Sequence, residues 1–189
     1  MDPSLAPART DNSISWFDIR QPGVEGRGWN DTKAFYDRLP AKAEGVVRPE
    51  VWDLSRHSAG MCVRFVTDAT TIRARWALTL PALSQPNMAA TGVSGLDLYV
   101  RTNDGQWRWL AVGIPEVQTN SVTLAENLAP GKREYLLYLP LHNGTEFVEL
   151  GIPQGAILEP AGPWGPGGAS RLCFTVLPLC TACVLPGPV

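Results

Sequence analysis

The sequence predicts an all-β fold, an antiparallel β-sandwich with a jelly-roll-like arrangement. Three observations predict it. Eighteen glycines and seventeen prolines punctuate 189 residues, which favours many short strands over long helices. Apolar residues recur with period two in one run after another, each bounded by turn signals. No ten-residue amphipathic helix, internal repeat or βαβ alternation breaks that pattern, so a parallel sheet would lack its crossovers.

In chain order, residues 1–14 are polar and read as a disordered or loosely attached N-terminus. "WFDIRQPGVEGRGWNDTKAFYDRLP" is broken by Gly and Pro and reads as irregular structure wrapping a core, with a helical turn around Asp31–Tyr36. "AKAEGVVRPEVWDLSRHSAGM" leads into the first clear strands. In "MCVRFVT", Met61, Val63 and Phe65 share one face, with Cys62 and Arg64 on the other. In "TTIRARWALTL", Ile72, Ala74, Trp76 and Leu78 face the core, and Arg73 and Arg75 face away. "SGLDLYVR" alternates Leu96, Leu98 and Val100 against Asp97, Tyr99 and Arg101. Asn103-Asp104-Gly105 then turns the chain, since Asp-Gly tolerates positive φ, and "QWRWLAVG" returns as the second strand of a hairpin.

"SVTLAENL", the turn "APGKR", "REYLLYLPL", the turn "HNGT" and "EFVELGIP" complete about seven to nine strands, as in a sandwich. From Pro160 the text "PAGPWGPGGAS" reads as a linker. The expected organisation is therefore a sandwich over residues 15–157, followed by a Pro/Gly linker and a disordered tail over 158–189.

Charge limits the partners. Lys and Arg number 16 against 18 Asp and Glu, a formal charge of −2, which gives no electrostatic case for nucleic acid or an anionic membrane. The first residues lack the apolar run of a signal peptide, and nothing before the tail is long and apolar enough to span a bilayer. The compartment stays open. Asn30-Asp31-Thr32 and Asn143-Gly144-Thr145 fit the glycosylation pattern, a frequent chance match.

The four cysteines are Cys62, Cys173, Cys180 and Cys183. One thiol in the body makes no disulfide framework. Cys180-Thr181-Ala182-Cys183 is a CxxC, but a zinc site wants four ligands. A redox CxxC wants a helix behind it, which Pro178 and Pro186 oppose. No metal or cofactor is expected. Read one base over from Ala169–Ser170, the degenerate codon sets permit "KPIVFYGTSIVHGVCASRPG". That text resembles the first catalytic block of SGNH (GDSL-like) esterases, where a Ser on a tight turn is the acyl-accepting nucleophile. A frameshift near residues 165–170 is expected, and the tail is then non-native.

The body resembles the same family. "VWDLSRHSAGMCVRF", "ATGVSGLDLYVR" and "REYLLYLPLHNG" look like the N-terminal domain of a bacterial SGNH-hydrolase group, known by a GxDLY signature. Here the signature is Gly95-Leu96-Asp97-Leu98-Tyr99, and the resemblance covers roughly residues 16–155. It departs at "QPNMAATG", where Asn87 takes the place of a more usual His. The resemblance implies a β-sandwich preceding a flavodoxin-like catalytic domain that carries a Ser nucleophile, an oxyanion-hole Gly and Asn, and an Asp-x-x-His pair. None of these maps onto this chain. It implies a non-catalytic accessory domain that packs on the catalytic domain and helps wall its substrate cleft. The parent reaction would be ester hydrolysis, with a carbohydrate ester as one candidate substrate. A free-standing carbohydrate-binding module is the alternative.

The candidate ligand or domain-interface residues are Arg56, His57, Ser58, Asp97, Tyr99, His142 and Asn143. Arg56-His57-Ser58 is expected to end one strand and turn at the sandwich rim, facing a partner or simply hydrogen-bonded within its loop. Ser58 and His57 make no catalytic pair, because adjacent side chains on a strand diverge. Asp97 and Tyr99 form either a polar binding face or a charge-paired ladder with Arg101, with Arg73 and Arg75 across from them. His142-Asn143-Gly144 is a tight turn in which Asn serves the backbone conformation, or approaches a docked domain. Trp76, Trp107 and Trp109 would stack on sugar rings if exposed, but their alternation with Arg and Leu predicts burial.

Overall fold

The computed structural model describes residues 5–164. Eleven strands occur in this range: β1 Arg9–Asp11, β2 Ile14–Asp18, β3 Val24–Glu25, β4 Cys62–Thr67, β5 Ile72–Leu78, β6 Leu96–Arg101, β7 Trp107–Gly113, β8 Thr119–Ala125, β9 Arg133–Tyr138, β10 Thr145–Pro153 and β11 Leu158–Pro160. Two short helices interrupt them, α1 Pro49–Ser55 and α2 Ala90–Ser94. The strands form two antiparallel sheets, ordered β1-β2-β10-β5-β8 and β11-β4-β9-β6-β7, with β3 added on β4. The sandwich is the expected one. Among the described residues no helix is long and apolar enough to cross a membrane.

The core lies between the sheets and follows the period-two pattern. Val63 and Phe65 enter it from β4, with Met61 just before that strand, Ile72, Ala74, Trp76 and Leu78 from β5, and Leu96 and Leu98 from β6. Each fully buried aliphatic side chain contributes about 1.5–3 kcal/mol relative to exposure. The hairpin of β6 and β7 closes as expected, with Gly105 at φ 80°.

Several local expectations are corrected. The described part of residues 1–14 is not loose: β1 pairs with β2, and Leu5 N–H donates to Leu158 O at 2.8 Å. Trp16 explains the attachment. The guanidinium groups of Arg75 and Arg9 lie over its ring, 4.3 and 5.6 Å from its centre, and its Nε1 donates to Asp11 Oδ1 at 3.0 Å. The segment read as irregular from residue 16 begins inside β2, a strand of the five-stranded sheet. Around residues 31–36 no helix forms, only one hydrogen-bonded turn in which the Asp37 N–H donates to Ala34 O at 3.1 Å. Instead, helix occurs at α1, where Pro49 opens the first turn with Glu50 beside it. Past Ile157, the three-residue strand β11 still pairs with β4, and Leu158 is fully buried. The cysteine-rich tail, its CxxC and the expected frameshift lie outside the described residues.

Candidate functional site

One end of the sandwich gathers most of the sequence-predicted residues. It is built from four connections: residues 56–61 before β4, 79–95 after β5, 114–118 between β7 and β8, and 139–144 before β10. Backbone bonds tie them together. Ser58 N–H donates to Asn143 O (3.2 Å), Thr79 N–H to Gly144 O (3.0 Å), His142 N–H to Val93 O (3.0 Å) and Leu78 N–H to Gln118 O (2.9 Å). Arg56, His57, Ser58, His142 and Asn143, up to 87 positions apart in sequence, thus meet at one rim.

Asn143 is the hub. It is fully buried. Its Nδ2 donates to Leu80 O at 3.1 Å, Ala82 O at 3.4 Å and Ser94 Oγ at 3.0 Å, while Oδ1 accepts the Leu80 N–H at 3.1 Å. Asn143 is not among the described residues with positive φ, so it shapes the loop through these side-chain bonds and not through a left-handed backbone. Burial also removes it as a glycan acceptor in the folded state. Ser58 is fully buried as well, donating to Pro140 O at 2.9 Å and lying 2.8 Å from Thr145 Oγ1. A hydroxyl so engaged is structural, not a poised nucleophile.

Arg56 and His57 follow α1, not a strand. Arg56 caps the helix and reaches Asp37 Oδ2 at 3.1 Å. Asp37 is 3% exposed, and burial raises its pKa against the opposing pull of the Ala34 N–H and Arg56. His57 N–H and Arg38 Nη2 both reach the carbonyl of Leu54, at 3.3 and 2.5 Å. Burial first, then Arg38 and His142, holds the His57 pKa below its ordinary value, with Asp53 opposing. Its Nδ1 is buried and has no hydrogen-bond partner among the described residues. Exposed apolar side chains edge the same end: Leu54, Leu80, Ile114 and Val117. Asn87 is exposed in the 79–95 connection, on the small turn closed by Gln85 and Met88. Sequence reading missed Asp37, Arg38, Ser94 and Thr145. An acid inside the aromatic run "FYDRLP" was the one available signal.

Asp97 and Tyr99 lie elsewhere, on the outer face of β6. Arg73 and Arg75 are not across from them, because β5 belongs to the other sheet. Arg101 instead pairs with Glu134 at 2.8 Å, and Asp97 accepts from Trp109 Nε1 at 3.3 Å. Tyr99 stands edge-on to Tyr138, with centroids 5.8 Å apart, and burial and Asp97 raise its pKa. Gly95 is required by close packing: an added Cβ would sit 2.4 Å from Thr91 O and 2.9 Å from Gly113 O. Burial holds for Trp76 alone of the three tryptophans. Trp107 is half-buried and Trp109 is 58% exposed, because both lie on the outer face of an edge strand beyond a bulge at Leu98/Tyr99. The ring that Trp107 meets, Trp164, is tilted by 58° to it, so this pair offers no flat platform for a sugar. Among the described residues no cluster of His, Cys, Asp or Glu could hold a metal ion.

Residues 14–158 match the family model described as GxDLY, the N-terminus of SGNH-hydrolase-type esterases. A crystal structure of a protein from Bacteroides ovatus ATCC 8483, described as a GDSL-like lipase, is 28% identical with a TM-score of 0.73. The match covers 79% of this chain and 43% of that one. A salicylyl-acyltransferase, SsfX3, from a tetracycline biosynthetic pathway aligns at 18% identity and a TM-score of 0.45, over 87% of this chain and 43% of its own. No curated protein matches.

Proposed function

We propose, from the premise that the chain belongs to the GxDLY family of N-terminal domains of SGNH-type esterases, that its sandwich is an accessory domain whose loop rim packs on a catalytic domain. The observation that carries this is the rim itself. Four connections are locked together by buried polar groups, chiefly Asn143 and Ser58, so they present a fixed surface and not mobile loops. On that surface Leu54 and Leu80 stay about half exposed (49% and 43%) beside Arg56 and His57. Exposed apolar side chains ringed by polar ones mark an interaction face.

The lipase-like neighbour supports the same reading, since the aligned part is less than half of its chain. Sandwich and enzyme would then divide the labour. The sandwich supplies a wall to the substrate cleft, and the partner domain supplies the serine that attacks an ester carbonyl and the base that takes its proton. Within residues 14–158, His57 and His142 are the only histidines, and Ser58, next to His57 in sequence, is buried against Pro140 and Thr145.

Two measurements on the purified chain test this. It should not hydrolyse a short acyl ester such as 4-nitrophenyl acetate above the buffer rate, and activity abolished by changing Ser58 or His57 would overturn the accessory reading. It should bind an apolar dye or self-associate on size exclusion, and Leu54→Asp with Leu80→Asp should suppress either. A monomer that binds no dye would remove the docking face.

A further inference from the structure

We propose that residues 158–164 are a docked strap, and that Trp164 is a positioning residue fixing where the following polypeptide begins. Composition alone reads this stretch as a linker. The structure anchors it at successive points. Ile157 O accepts from Thr67 Oγ1 at 2.7 Å, and its N–H donates to Asp68 Oδ1 at 2.9 Å. Leu158 is fully buried, and Glu159 pairs with Lys132 at 2.7 Å. Trp164 then enters a cage on the outer face of the six-stranded sheet. The Arg64 guanidinium lies 3.9 Å from its ring centre, the ring of Trp107 is 6.3 Å away, and its Nε1 donates to Glu25 Oε2 at 2.5 Å.

The cage is held from behind. Arg64 is only 6% exposed and is fixed by Glu25 and Glu134, both at 2.8 Å. A guanidinium over an indole face is attracted by the ring's quadrupole, more strongly where water is excluded from the pair. The same construction holds the other end of the chain, where Trp16 takes Arg75, Arg9 and Asp11. Direction matters too. β11 runs antiparallel to β4, from Thr67 toward Phe65, and Glu25 lies opposite Cys62 at the far end of β4. Trp107 opens β7 opposite Arg101, level with the other end of β4, so Trp164 bridges the outer face between the two ends. A domain that followed Trp164 would then start from a fixed point on this face and not from a loose tether. That consequence rests on the accessory reading; the strap itself does not.

The strap is tested on the full 189-residue chain labelled with nitrogen-15, with the Trp164 indole signal assigned by W164F. Its Nε1 proton should exchange with water at least about tenfold more slowly than that of exposed Trp29. E25A should release it to the Trp29 rate, while E25Q, which keeps an acceptor oxygen, should retain most of the protection. The buried Trp76 indole, bonded to Ser94 O, reports whether each variant is folded. A Trp164 indole that already exchanges at the Trp29 rate in the unmodified chain would overturn the strap, whatever the variants do. The dye and size-exclusion results decide the docking reading separately: a protected Trp164 with no dye binding keeps the strap and removes the rim.

Discussion

Asn143 and Leu80 grip each other through two hydrogen bonds, the Leu80 N–H donating to Asn143 Oδ1 and Asn143 Nδ2 donating to Leu80 O, both at 3.1 Å. A side-chain amide is here imitating a strand. It extends the pairing of β10 with β5 past the point where the backbones separate, and it fixes the loop that carries exposed Leu80 to the rim. The bond costs nothing in exposed polarity, because Ser94 Oγ and Ala82 O take up the remaining donor capacity.

Asn143→Ala should therefore destabilise the fold by about 1–3 kcal/mol, since it takes a partner from the buried Ser94 hydroxyl and from the part-buried Leu80 N–H, Leu80 O and Ala82 O. Urea denaturation should show a lower midpoint with an unchanged slope. A change under about 0.5 kcal/mol would mean that water replaces the amide and that the rim is not locked as described.

Gly95 makes a second test, of the signature motif itself. Gly95→Ala places a methyl against two backbone oxygens, at 2.4 and 2.9 Å, and backbone cannot swing away as a side chain can. The cost should be about 1–3 kcal/mol or more. Gly28→Ala is the matched control, with open space around its Cβ and an expected effect within about 0.5 kcal/mol. Equal midpoints for the two variants would show that Gly95 is not fixed by packing.

Much of the fold was legible because it rests on local alternation. Leu96 and Leu98, or Ile72, Ala74, Trp76 and Leu78, mark a buried face with no reference to a partner. What escaped depends on contacts between distant segments. The N-terminal arm is ordered by Trp16 reaching Arg75 and Asp11, and polar composition there gives no hint of it. Helix α1 was missed because seven residues with only Ser55 fully buried show no apolar stripe, although Pro49 and Glu50 were a start signal. Arg73 and Arg75 could not be assigned away from Asp97 without knowing which strand joins which sheet. The rim residues were named correctly as lying at turns. That Asn143 is buried, and bonded to Leu80 63 positions away, is not a property of any short window.

The His57 environment predicts a pH dependence. Its folded pKa lies below the ordinary imidazole value of 6.5, chiefly through burial, with Arg38 and His142 adding to the effect. The unfolded chain then binds more protons than the native one as pH falls through the window beneath 6.5. Stability from this group is fully present above that value and is lost on acidification. Denaturation midpoints followed from pH 7.5 to 5 should decline, and His57→Gln should flatten the decline. A variant with the same slope as the parent would place the proton uptake elsewhere.

Arg64 and Arg101 share Glu134, one on each carboxylate oxygen, both at 2.8 Å. Their surroundings differ: the Arg64 side chain is 6% exposed and the Arg101 side chain 46%. Arg64→Met would take the cation from Glu25, leave Glu134 with Arg101 alone and open the Trp164 cage. Removing one partner of a buried pair costs about 3–5 kcal/mol, and Glu25 at 33% exposure brings the expectation to the lower end of that range. Arg101→Met removes an exposed partner and should cost no more than about 1 kcal/mol. Chemical denaturation of the two variants side by side measures the difference. Should they lose equal stability, Arg64 would be an ordinary surface charge, and the desolvated stack with Trp164 would not exist in solution.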